Sequence, residues 1–159
     1  MITSNIAKPR CLIVTKDLSL RFTLNTVVPE LGYVVDIAEN RNDAMRLFML
    51  HRHSLLLIES ALLPNYPHRL VQFFKMAHRT PAVIIFSKKD RDLSEYSYFH
   101  DGVYEVVDIP FKIENLIFVI KRTVGYMKVR SKNLFLKDFL MHAGLAAPVL
   151  FLLLYFLTK

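Results

Sequence analysis

Residues 80–87 read TPAVIIFS. From Ala82 to Phe86 every position is apolar, without the alternation that a sheet wetted on one face imposes. A β-branched run of this length, stopped by charged residues, predicts a strand covered on both faces. Similar runs recur on either side. They are CLIV at Cys11–Val14, YVVDIA at Tyr33–Ala38, LLLI at Leu55–Ile58 and YEVV at Tyr104–Val107. Five strands are therefore expected.

Between the runs the apolar spacing turns helical. Leu20, Leu24, Val27, Val28 and Leu31 fall at steps of about three and four, as do Ala44, Leu47 and Phe48, then Leu70, Val71, Phe73, Phe74 and Ala77. Asn42 is the expected cap of the second helix, with Asp43 in its first turn. Asp90 to Phe99 is a more polar, Tyr-rich fourth helix, and a fifth starts near Ile113. Strand and helix alternating in this way predict an α/β fold, an open parallel sheet wrapped by helices on both faces.

Composition narrows the function. Among 159 residues there is one cysteine, Cys11, which excludes an internal disulfide and is read as an inert core residue. Four glycines and no GxGxxG or P-loop pattern leave no Gly-rich phosphate loop. His51 and His53 form an HxH pair without a second ligand cluster, which reads as a solvated helix end rather than a metal site. The N-terminal MITSNIAKPR has no apolar segment of the signal-peptide kind.

The formal charge is +7, and Lys121, Arg122, Lys128, Arg130, Lys132 and Lys137 supply much of it, with no acid between Glu114 and Asp138. These basic residues precede FLMHAGLAAPVLFLLLYFLT at Phe139–Thr158, a stretch with no charged side chain. An apolar helix of about 20 residues matches the roughly 30 Å hydrocarbon core of a bilayer. Pro148 predicts a kink in it rather than a break. The expected organisation is a domain over 9–127, a basic juxtamembrane linker over 128–138 and a transmembrane helix over 139–158. The basic flank faces the cytoplasm by the positive-inside rule, and it suits anionic lipid better than nucleic acid.

Several pieces together carry a family resemblance. CLIVTKD, ELGYVVDIAENRNDAMRLF, LLLIES with Pro64, TPAVIIFSKKD and DGVYEVVDIPF, in that order over residues 9–127, resemble the receiver domain of bacterial two-component response regulators. The resemblance implies a doubly wound sheet of order 2-1-3-4-5 with its site at the C-terminal strand ends. It also implies an aspartate at the end of the third strand that accepts a phosphoryl group, and Mg²⁺ held by acids after the first.

The residues at those positions depart from the pattern. Thr15 and Lys16 stand in place of the acidic pair, with Asp17 one position further on. Matching the apolar frame puts Glu59 at the acceptor position, whereas matching Pro64 puts Ser60 there. Ser87 matches the hydroxyl residue that contacts the phosphoryl group. Ile109 replaces the lysine before the final proline, and Val106 the aromatic residue that changes orientation between states. Ile109-Pro110 is a candidate for the cis peptide of that joint. Tyr96 and Tyr98, with Val106, mark the face that receivers use for partners.

The resulting expectation is a membrane-anchored, degenerate receiver at the inner bacterial membrane. It is no enzyme, needs no cofactor or metal, binds no nucleic acid, and contacts protein partners or further copies of itself. Two alternatives stand beside it. One is a switch phosphorylated unconventionally at Ser60 or Ser87. The other is an accessory subunit of a membrane complex, its tail packed through Ala143, Gly144, Ala146 and Ala147.

Overall fold

The computed structural model describes residues 8–63, 73–74, 81–88, 103–126 and 129. Outside them lie the segment 90–99 expected as a fourth helix, with Tyr96 and Tyr98, the linker residues Lys128, Arg130, Lys132 and Lys137, and the apolar stretch 139–158. Contacts divide the chain into two compact units, 1–123 and 124–159. Among the described residues no helix is long and apolar enough to cross a membrane.

The elements follow in the order β1 (Arg10–Val14), α1 (Leu18–Glu30), β2 (Val34–Ala38), α2 (Arg41–Leu50), β3 (His53–Glu59), a 3₁₀ turn (Ser60–Leu62), β4 (Ala82–Lys88) and β5 (Glu105–Ile109). A further helix covers 113–126. The strands form one parallel sheet in the order β2-β1-β3-β4-β5. This is the doubly wound order that places a site at the C-terminal ends of β1 and β3, where the winding reverses.

Both faces of the three central strands β1, β3 and β4 are buried, as their unbroken apolar runs require, while the edge strands β2 and β5 stay partly exposed. Leu12 and Val14, Leu56 and Ile58, and Val83 and Ile85 form one layer with Ala44 and Phe48 of α2 and with Phe74. Phe48 and Phe74 meet edge to face, ring centroids 4.6 Å apart. The alternate residues Cys11, Ile13, Leu55, Leu57, Ile84 and Phe86 are equally buried. Apolar cover outside the first layer comes from Leu20, Leu24 and Val28 of α1 and from Leu116 and Ile120 of the helix over 113–126.

Local chemistry sets the helix limits. The Asp17 carboxylate accepts hydrogen bonds from the backbone N–H of Ser19 and Leu20 and caps α1. At its far end Gly32 adopts φ +87, the left-handed region in which a Cβ is strained, and turns the chain into β2. The cap of α2 is Asn40, whose side chain accepts from the Asp43 N–H, so the expected Asn42 is already inside the helix. Apolar spacing sets the phase of a helix, and the cap lies outside that pattern.

One further expectation changes. His53 is not a solvated helix end but the buried first residue of β3. Val106 of the expected partner face is partly buried, packed against the core layer. The Ile109-Pro110 peptide is cis, as the sequence suggests.

Candidate functional site

The C-terminal strand ends bring together Thr15, Lys16 and Asp17 after β1, Glu59 at the end of β3 and Ser60 just after it, and Ser87 and Lys88 at the end of β4. Register decides which of these are neighbours. Val14 pairs with Ile58, so Thr15 and Glu59 stand one step beyond, side by side. Glu59 pairs with Phe86, so Ser60 is level with Ser87.

The two acceptor candidates consequently do different things. The Glu59 carboxylate turns to the loop after β1. Its Oε2 accepts from the Thr15 hydroxyl at 2.7 Å, the Lys16 N–H at 3.0 Å and, more loosely, the Asp17 N–H at 3.4 Å. The Thr15 hydroxyl in turn accepts from the Asp17 N–H at 3.0 Å. Glu59 is 7% exposed and Thr15 fully buried, so this knot is shielded from competing water. Ser60, also buried, takes the place beside Ser87, whose hydroxyl donates to the Lys88 carbonyl at 3.3 Å. Ser60 thus stands on the β4 side, and Glu59 ties β3 to the β1–α1 loop.

Above them Lys88 Nζ lies 3.7 Å from Asp17 Oδ2. The pair reaches from the end of β4 to the loop after β1, past the intervening β3. The amides of Leu20 and Ser19, with the Lys88 charge, hold the Asp17 carboxyl below its ordinary value of 3.8 against a smaller opposing effect of burial. Both sides of the pair are partly solvated, so its energetic contribution is small. A cavity of about 190 Å³ opens between Glu59, Ser60, Ala61, Phe86, Lys88 and Ile109. Ile109 closes it with an apolar side chain where the family resemblance implies a lysine. Lys88 was not singled out in the sequence, where it reads as the first charge after a strand.

The donor set does not fit Mg²⁺. That ion requires near-octahedral oxygen ligands, usually carboxylates. Thr15 spends its hydroxyl proton on Glu59, and Lys16 brings a cation. The Asp17 carboxylate serves as a helix cap facing Lys88. Among the described residues no group of three His, Cys, Asp or Glu side chains is placed to hold a metal.

No family model matches the chain. No curated protein matches it either. Solved structures do. A response regulator receiver domain protein (CheY-like) from Methanospirillum hungatei superposes with TM-score 0.67 at 18% identity, over 78% of this chain and 99% of that one. The chemotaxis response regulator CheY4 of Vibrio cholerae gives 0.64 at 15% identity, covering 73% and 98%. The signal receiver domain of an HD domain-containing protein from Pseudomonas fluorescens gives 0.65 at 14% identity, covering 79% and 93%. Such identities establish architecture alone, and the architecture of this chain is that of the CheY-like receiver domain.

Proposed function

We propose that this chain is a receiver-like signalling domain that binds protein partners at the cytoplasmic face of a bacterial membrane without transferring a phosphoryl group. One observation carries the reading. The carboxylate nearest the acceptor position, Glu59, is buried and engaged by Thr15 Oγ1 and the Lys16 amide. In a phosphorylating receiver the loop after β1 and the end of β3 are bridged through a cation. Here direct hydrogen bonds supply that bridge, so the fold can persist in one state. A domain of this kind acts through its surface, and tethering would raise its local concentration near membrane partners. The uncharged stretch 139–158 behind a basic flank supports such an anchor.

The level placement of Ser60 and Ser87 favours one second reading, in which a hydroxyl there is modified by a separate kinase.

Intact-mass measurement after expression in a bacterial host, joined to fractionation, tests both. The proposal expects the full chain in the membrane fraction at unmodified mass, and a chain ending at Lys137 in the soluble fraction. A mass gain of about 80 Da on Ser60 or Ser87 favours the second reading. Full-length chain that leaves the membrane with a salt wash overturns the anchor.

A further inference from the structure

At the end of the sheet opposite the pocket lies a second charged cluster, drawn from three adjacent strands. Arg10 opens β1, Asp36 is central in β2, and His53 opens β3. Arg10 Nε and Nη2 each donate to the Asp36 carboxylate at 2.9 Å. His53 Nε2 lies 2.7 Å from Asp36 Oδ2. A register shift beside Arg10 brings His53 here. One step along β1, from Arg10 to Cys11, matches two along β3, from His53 to Leu55. The ring thereby reaches the α2 side of the sheet and stacks on Phe48, centroids 5.9 Å apart and planes at 18°.

The imidazole is in an unusual position. With Nε2–H donating to Asp36, the second nitrogen, Nδ1, is buried and has no hydrogen-bond partner among the described residues. Protonation would place an N–H there with no acceptor, at the cost of an unsatisfied buried donor. The groups around it do little to relieve that cost. Asp36 of β2 is already neutralised by Arg10 of β1, His51 meets the ring in a T-shaped contact at 6.1 Å, and α2 presents the Phe48 face. Cys11, next to Arg10, is a buried thiol that burial and the Asp36 charge keep protonated.

We propose that Arg10, Asp36 and His53 form a pH-sensitive latch that seats α2 on the sheet, closed by neutral His53 and loosened when the ring takes up a proton. Burial, the largest influence, outweighs the attraction of Asp36 and sets the His53 pKa below its ordinary 6.5. The unfolded or locally opened ring binds its proton more readily than the seated one. Stability contributed by the latch is therefore complete above 6.5 and declines as pH falls from there towards the folded value. Phe48 transmits the change, since it contacts both His53 and Phe74.

The test follows the His53 ring by NMR in the full chain while amide exchange is read in α2 and β4. The latch predicts a ring midpoint below 6.5. It also predicts that, as the ring protonates, protection of α2 amides falls by about ten-fold for each pKa unit of the shift, while β4 stays protected. His53→Gln keeps a donor for Asp36 but does not titrate, so its α2 protection, corrected for intrinsic exchange, should be level over that range. A ring midpoint at or above 6.5, or α2 opening with the same pH course in H53Q, overturns the latch. Should H53Q fail to fold, the wild-type chain decides alone, by whether α2 opens in step with ring protonation.

Discussion

Glu59 is the residue at which this chain departs most in chemistry from what its fold suggests. A carboxylate at the end of a central strand invites reading as a nucleophile or ligand, yet its Oε2 is committed to Thr15 and the Lys16 amide. Removing it leaves a buried hydroxyl and a loop amide unpaired. Glu59→Ala should lower unfolding stability by about 2 kcal/mol, whereas Glu59→Gln, which retains an acceptor oxygen, should lose about 1 kcal/mol or less. Urea denaturation of the two variants checks this ordering. Asp17 makes a second residue-scale prediction. Its carboxyl pKa is depressed, chiefly by the Leu20 amide, so its capping contribution is complete above 3.8 and lost as pH falls below that value. Asp17→Ala should cost about 1 kcal/mol near neutral pH, and the gap from wild type should shrink in denaturation curves recorded near pH 3.

At the scale of elements, stability resides where aromatic side chains join a helix to the sheet. Phe48 of α2 is buried between His53 and Phe74, and truncation to Ala should destabilise the chain by about 3–5 kcal/mol. Phe22, on the outer side of α1, is 75% exposed, and its truncation should change stability by less than about 0.5 kcal/mol. Thermal melts of the two variants would separate a seated helix face from a free one. The same contrast explains what was legible in the sequence. Strands such as Ala82–Lys88 could be read because consecutive apolar residues have few other uses. Asn40 was displaced to Asn42 because apolar spacing fixes the phase of a helix and not its first residue. The burial of His53 is not legible locally, because the register shift beside it depends on β1, far away in sequence. The choice between Glu59 and Ser60 was open by one position, and only pairing with Phe86 on a neighbouring strand separates their roles. Asp36 carries a signal of its cluster within the sequence. An acid inside the apolar run YVVDIA needs a polar partner, and Arg10 and His53 are those partners.

For the sheet as a whole, the strand order is that of a receiver, while Thr15, Asp17 and Glu59 at its strand ends are engaged in hydrogen bonds with the chain itself. Fold likeness does not transmit chemistry, which belongs to sites. Whether the pocket responds to the cation that its architecture would lead one to expect separates a direct bridge from a metal-mediated one. The direct measurement is a Mg²⁺ titration of the full chain, reading the amide signals of Thr15, Lys16 and Glu59 together with the denaturation midpoint. Direct hydrogen bonding in place of a metal bridge predicts no saturable shift and an unchanged midpoint up to about 10 mM Mg²⁺. Saturable movement of those three signals, with a midpoint that rises as Mg²⁺ binds, would contradict it.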